Sequence, residues 1–336
     1  MASESWPEAD LESVDTCPLC GAGERSLALD GVEDWAFGCA PGRWQYWCCT
    51  QCRALYLHPR PTPASIGRAY GRYYTHGSGP GSVVARVKQR LRNEYWSHRF
   101  GASLQPRLGL PRGMEWMTRG LAGLVAEPFG LAQMAQSPKG LLIDVGCGNG
   151  DKLRLAQQLG WRGVGIEMDA AAVQAAVAQG LNVVQGGYEL LARYAGQADC
   201  VVCSHVLEHV HQPLAFLRLL LESLKPQGVL LLSVPNASSA LRDHYGVNWR
   251  GLEAPRHLVI PDAAWLVAWL QGQGWQCTQV SCNALETAVE SERIRRRTLA
   301  AGSEDVRAAR IVLRGLGVVD AERQDIVQLV CQRTRA

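Results

Sequence analysis

Leu141-Leu142-Ile143-Asp144-Val145-Gly146-Cys147-Gly148-Asn149-Gly150 decides how this chain is read. Its apolar first half suits a strand buried on both faces, and its second half puts glycine at alternate positions, where a chain turns sharply. Asp151 to Leu159 then reads as a helix, with Leu153, Leu155, Ala156 and Leu159 on one face and Gly160 at its end. Strand, glycine turn and helix start together make a nucleotide site. Bare backbone lets a ligand come close, and exposed amides favour electron-rich groups.

The spacing selects among nucleotides. The dinucleotide fingerprint is G-x-G-x-x-G, whereas Gly146, Gly148 and Gly150 give G-x-G-x-G after Asp144. This stretch resembles motif I of class I S-adenosylmethionine-dependent methyltransferases, written D-x-G-C-G-x-G, at every fixed position. Gly163-Val164-Gly165-Ile166-Glu167 reads as the next strand, ending in an acid about 20 residues past the glycines, where a carboxylate can accept from a ribose diol. The resemblance implies S-adenosyl-L-methionine held by Asp144, Gly146, Cys147, Gly148, Gly150, Glu167 and Met168.

Farther on, Asp169 to Gln179 reads as a capped helix and Asn182 to Val184 as a third strand. The family commonly carries Gly-Asp-Ala-Glu next, its acid near the adenine. Here Gly186-Gly187-Tyr188-Glu189 puts glycine in place of that Asp, so Tyr188, Glu189 or a backbone amide is left for the contact. Ala198 to Cys203 is a fourth strand. Ser204-His205-Val206-Leu207-Glu208-His209-Val210 follows it and resembles the post-strand segment of ubiquinone-biosynthesis-type methyltransferases. Ligands in open α/β sheets bind beyond the strands' carboxyl ends, so Ser204 and His205 are expected at the cofactor or acceptor, and Glu208 and His209 either there or capping the turn. His209 and His211 alone are a weak metal signal.

A helix from Pro213, a strand over Val229 to Val234 and a polar, aromatic loop over 237–257 come next. The family's corresponding loop often ends in Pro-Arg-His, as Pro255-Arg256-His257 does here. A general base needs a pKa near working pH and reach to the acceptor's proton, so His257 leads, followed by His205 and His244. Alternatively Arg256 and His257 hold the loop closed. A helix over Asp262 to Gly272, a strand over Gln276 to Ser281, arginine-rich helices over 286–317 and a last strand over Asp325 to Arg333 complete a seven-stranded, doubly wound, Rossmann-like α/β sheet.

Upstream, Cys17-Pro18-Leu19-Cys20 and Cys49-Thr50-Gln51-Cys52 are two C-x-x-C units whose thiolates can converge on structural Zn2+. Cys39 or Cys48 could replace a ligand, and Arg53 stands where a knuckle usually has glycine. Proline at positions 59, 61 and 63 gives an extended connector, followed by Tyr70, Tyr73 and Tyr74. The order of these features resembles the zinc-binding segment that precedes a subset of methyltransferase domains. The organisation expected is a zinc-binding segment over 1–75, a helical linker or cap over 76–139, and a methyltransferase domain over 140–336 with a helical insertion at about 284–318. Within the cap, 76–81 reads as a hinge, and 82–100 as a basic amphipathic helix with Val83, Val84, Val87, Leu91, Tyr95 and Trp96 along one side.

The chain has 336 residues, 47% apolar and 19% charged, with net charge +3, which argues for neither nucleic acid nor an anionic membrane. With no signal-like start and no long apolar run, the expectation is a cytoplasmic protein without a transmembrane segment, whose twelve cysteines are thiols, metal ligands or small buried residues. The function implied is methyl transfer to a small-molecule, sugar or lipid-type acceptor, by a chain that could be a homo-oligomer. A zinc-containing RNA methyltransferase, a nucleic-acid-binding protein or a non-catalytic cofactor-binding protein are the alternatives.

Overall fold

A computed structural model describes residues 5–71, 83–110, 127–280, 284–298, 300–317 and 320–334. Tyr73, Tyr74, the hinge at 76–81 and residues 111–126 of the expected cap lie outside these. In chain order the strands are β1 Leu11–Glu12, β2 Arg25–Val32, β3 Trp44–Cys49, β4 Leu55–Leu57, β5 Arg60–Pro61, β6 Leu141–Val145, β7 Arg162–Glu167, β8 Val183–Gln185, β9 Ala198–Ser204, β10 Leu224–Pro235, β11 Val259–Ile260, β12 Trp275–Val280 and β13 Ile326–Arg333. The helices are α1 Val83–Phe100, α2 Leu131–Gln136, α3 Asp151–Gln158, α4 Ala170–Val177, α5 Pro213–Ser223, α6 Ala240–Tyr245, α7 Ala263–Gly272, α8 Leu285–Arg296 and α9 Ser303–Leu316.

The expected sheet is present: seven strands in the order β12-β13-β10-β9-β6-β7-β8. β6 and β7 run parallel with Asp144 opposite Gly165, and β12 and β13 run antiparallel. Every residue of β6 is buried, as a strand covered on both faces requires. Where the twelve cysteines were expected without disulfides, Cys277 and Cys331 are directly opposed across β12 and β13, Cα to Cα 4.1 Å, and are joined. The period-2 alternation of two strands shows which way each cysteine points but not which residues stand opposite, so the sequence could not pair them.

Residues 74–202 and 222–231 form one compact unit. There Asp169 caps α4 by accepting from the Ala171 and Ala172 amides. Along α1 the expected face is buried only in part: Trp96 is buried and Leu91 and Tyr95 half-buried, but Val83 and Val87 are exposed, while the polar Asn93, Glu94 and Ser97 are buried. Glu94 explains the difference. Its carboxylate accepts from the Gly109 and Leu110 amides and meets His98 Nε2 at 2.9 Å, so a charge is inside because the chain's own donors satisfy it.

Residues 1–73, 203–221 and 232–336 form the other unit. Its four-stranded sheet has the order β11-β4-β3-β2, so the strand after the second cysteine pair lies beside the strand that follows Pro255-Arg256-His257, with Tyr56 opposite Val259. Leu55, Leu57, Leu258 and Ile260 are fully buried in its core together with Tyr46 and Trp249. Burial of each aliphatic side chain contributes roughly 2 kcal/mol. Beyond the sheet, Tyr46 Oη donates to the carbonyls of Leu252 (2.6 Å) and His257 (2.7 Å).

Candidate active site

The glycine turn after β6 does what its spacing requires. Gly146, Gly148 and Gly150 all have left-handed φ, at 67°, 52° and 80°. A Cβ on Gly150 would stand 2.3 Å from Leu181 Cδ1, whereas one on Gly148 would meet nothing within 4 Å. Gly150 is therefore packed against protein and Gly148 borders open space, as a loop that admits a ligand should be.

Glu167 ends β7 and braces this turn. Its Oε2 accepts from the Gly148 amide at 2.8 Å and its Oε1 from the Asp169 amide at 2.9 Å. Asp144 is buried, and burial pushes its pKa up to about 7; Lys152 opposes the rise and Glu167 adds to it. Cys147 is buried with its thiol pushed well up by burial, while Met168 is 74% exposed. The missing family Asp also has a structural counterpart. A Cβ on Gly187 would lie 2.2 Å from Glu189 Oε2, so the bare glycine makes room for the next acid to fold back over it. Tyr188 is half-buried beside them. An acid, an open glycine turn and an exposed apolar side chain fit a nucleoside carrying a charged amino-acid tail.

Ser204 ends β9, and His205 follows with φ 57°, a conformation that non-glycine residues adopt rarely. The turn after it brings Glu208 to the edge of the ring, with His205 Nδ1 3.1 Å from Glu208 Oε1. The His205 side chain is 45% exposed and that of Glu208 fully buried. His209 Nδ1 lies 3.1 Å from both the Arg256 carbonyl and Tyr70 Oη, and its ring meets that of His257 edge-on, centroids 4.7 Å apart.

His257 is enclosed. Its Nδ1 donates to the Gly251 carbonyl at 2.7 Å, its Nε2 lies 3.8 Å from Glu253 Oε2, and burial lowers its pKa to about 4, so the ring is neutral. Arg256 beside it is wholly buried. Its guanidinium donates to Asp34 Oδ1 (2.5 Å) and Oδ2 (3.1 Å), to Glu253 Oε1 (3.1 Å) and to the Ala69 carbonyl (2.9 Å), and lies over the Phe37 ring. These contacts match the loop-closing role weighed from sequence. His244, the remaining expected base, is exposed on α6 against Tyr245. Composition and motif gave no pointer to Asp34, Glu253 or Tyr46; Asp34 is 222 residues from the arginine it binds.

The four predicted cysteines converge. All four Sγ atoms lie within 4.8 Å of one another, Cys17 to Cys52 at 3.4 Å and Cys20 to Cys49 at 3.5 Å. The two knuckles are copies of each other. Cys17 N donates to the Ala22 carbonyl and Gly21 N to that of Cys17, just as Cys49 N donates to Ala54 and Arg53 N to Cys49. Arg53, standing where a knuckle usually has glycine, therefore takes the glycine-like φ of 59°, and the second turn keeps the shape of the first. Cys39 points to Asp34 and the Ala69 carbonyl, Cys48 to the Cys49 and Arg53 carbonyls, so neither joins the cluster.

A methyltransferase-domain family model matches residues 115–280. The ubiquinone biosynthesis O-methyltransferase of Xanthomonas axonopodis pv. citri is 31% identical over 172 residues, covering 47% of this chain and 71% of that protein. That of Xanthomonas campestris pv. campestris is 34% identical over 110 residues, 31% of this chain and 46% of that one. Among solved structures, a methyltransferase from Archaeoglobus fulgidus aligns over 65% of this chain and 99% of its own at 18% identity, TM-score 0.43. The plantazolicin methyltransferase in complex with a desmethyl analogue and S-adenosylhomocysteine aligns over 76% and 100% at 13% identity, TM-score 0.40. No described helix is long and apolar enough to cross a membrane. The family match and the shared sequence agree with the glycine turn after β6: this chain belongs to the S-adenosylmethionine-dependent methyltransferases.

Proposed function

We propose that this enzyme methylates a hydroxyl of a small-molecule acceptor, of sugar, lipid or metabolite type, with His205 as general base. The observation that carries the reading is the contrast between the candidate histidines. Both His257 nitrogens face protein, whereas His205 is half exposed with one nitrogen held by Glu208. A proton acceptor must be reachable by the acceptor group, and His205 meets that condition where His257 does not. His244 is exposed but carries no carboxylate partner of this kind among its described contacts.

In this reading Asp144, Gly146, Cys147, Gly148 and Gly150 cradle the donor's amino-acid end, Glu167 and Met168 take the ribose and adenine side, and Tyr188, Glu189 and Ser204 complete the contacts. Bound S-adenosylmethionine supplies an activated methyl on a sulfonium sulfur. The protein aligns acceptor and donor, His205 removes the proton, and Arg256 with His257 keeps the 237–257 loop closed. The four cysteines bind structural Zn2+, whose chemistry suits a closed tetrahedron of thiolates with no open position. The expected organisation over 1–75, 76–139 and 140–336, with its insertion at about 284–318, goes with this reading, as does action in the cytoplasm.

Calorimetric titration with S-adenosylmethionine tests the donor site. Saturable binding is expected in the wild type and its loss in Gly148→Arg, which fills the open space at φ 52°. A folded wild type without binding would refute the donor site, and methylation of 3,4-dihydroxybenzoate as a probe hydroxyl then tests transfer.

A further inference from the structure

We infer that the cavity between α1 and α3 is a ligand site of its own, and that it takes a small organic anion: an apolar ring or chain bearing one phosphate or carboxylate. The site stands apart from the transfer reaction and holds whichever histidine takes the acceptor's proton.

Its walls are tied together. Asn93 on α1 donates through Nδ2 to the Pro106 carbonyl at 3.0 Å, and one turn on, Ser97 Oγ accepts from the Leu104 amide at 3.0 Å. The Gln105 amide in turn donates to Gln158 Oε1, on the last residue of α3, at 2.8 Å. The inward-facing polar residues of α1 thus join that helix to α3 through the segment 104–106, and the space between them is framed by hydrogen bonds. It measures about 650 Å3, inside the range of roughly 300–1,000 Å3 that small-molecule sites span. Its apolar lining is Trp96, Leu104 and Leu131, a buried cluster with Leu155 packed against it.

The polar lining is rich in donors and short of acceptors. Three cations, Arg92, Lys152 and Arg154, line the cavity against a single acid, Asp151, and that acid is paired with Arg154. Lys152 Nζ lies 5.3 Å from the centre of the Phe129 ring. Arg92 is exposed and makes no hydrogen bond or ion pair with any described residue. One turn along α1 from it, Trp96 is 6% exposed, and its Nε1 is buried without an acceptor among the described residues. A buried N–H without a partner is costly, and a ligand oxygen removes that cost. Guanidinium, ammonium and indole N–H can only donate, so what they recognise in common is an oxyanion. The three positive groups disfavour a cation, and a wholly apolar ligand would strip water from Arg92 and leave the indole N–H unpaired. An anionic group on an apolar body satisfies both halves of the lining.

The test is calorimetric titration of the full-length, metal-loaded protein with 1-naphthyl phosphate, with and without saturating S-adenosylhomocysteine. One-to-one binding is expected in both conditions, at least about tenfold tighter than that of 1-naphthol or inorganic phosphate, the step that one charge-assisted hydrogen bond supplies. Arg92→Glu reverses the charge at an exposed position; it should weaken binding about tenfold or more while the urea midpoint stays unchanged. Trp96→Phe keeps a ring and removes the N–H, and should weaken it about three- to tenfold. No saturable binding of 1-naphthyl phosphate, an affinity no better than that of 1-naphthol, or wild-type affinity in Arg92→Glu would overturn the inference. Binding abolished by S-adenosylhomocysteine would place the probe on the glycine turn and overturn it as well. None of these readouts requires methyl transfer, so a failure of the proposed reaction leaves them standing.

Discussion

Removing the Asp34 carboxylate should unfasten the loop that carries Pro255-Arg256-His257. Asp34 and Arg256 have side chains 1% and 0% exposed and share two hydrogen bonds. Asp34 also accepts from the backbone amides of Phe37, Cys39 and Ala40. Asp34→Ala leaves a buried guanidinium with Glu253 and one carbonyl, and breaking one side of a buried pair costs about 3–5 kcal/mol. At about 1.4 kcal/mol per decade, that is roughly two to three and a half decades in the folding equilibrium. The assay is urea unfolding of the metal-loaded chain followed by tryptophan fluorescence at pH 7, with Asp34→Ala/Arg256→Met alongside. The double variant removes both charges and should recover most of the loss. The sign with pH is fixed too. Despite burial, which acts to raise it, Arg256 holds the Asp34 pKa below its ordinary 3.8, so folding favours the ionised form. This stabilisation is present above about pH 4 and is lost as pH falls through the folded-state pKa. The gap between wild type and variant should therefore be flat from pH 5 to 8. A single variant costing under about 1 kcal/mol, or a double variant no better than the single, would refute the reasoning.

Gly150→Ala combines a 2.3 Å approach to Leu181 with φ 80°, and should weaken S-adenosylmethionine binding at least about tenfold by calorimetry. Asp144→Asn should stabilise the ligand-free protein at pH 8 and hardly at pH 4. The folded pKa of about 7 lies above the ordinary 3.8, so the wild type loses stability as pH rises through that window, on the order of a few kcal/mol in total, read from urea midpoints. Cys49→Ser should lose bound zinc in metal analysis while Cys39→Ser and Cys48→Ser keep it, because only Cys49 belongs to the four-sulfur cluster. Arg53→Gly relieves a left-handed φ of 59° on an exposed turn and should stabilise the fold by up to about 1 kcal/mol, read as a raised urea midpoint.

The local features were legible because they are written in neighbouring residues. Alternate glycines demand positive φ whatever surrounds them, and Gly146, Gly148 and Gly150 all have it. Asp169 and Asp262 cap the helices that their positions announce, since a cap is satisfied within its own first turn. The C-x-x-C units brought their four sulfurs together, and the apolar strands fell into the expected sheet. Where the reading missed, as along α1, the deciding partner was distant in sequence: Glu94 is inside because Gly109 and Leu110 supply amides to it.

The sequence by itself thus determined the glycine turn, the cysteine cluster and the strand segments of the sheet, because each rests on backbone conformations and spacings encoded within a few residues. Only the tertiary structure decided which histidine is accessible, that Glu208 pairs with His205, and that Asp34 fastens Arg256. Burial and pairing of charges depend on long-range neighbours that no local pattern specifies. In a low-dielectric interior those neighbours decide whether an imidazole or a guanidinium is a chemical group in reach of substrate or a fastening of the fold.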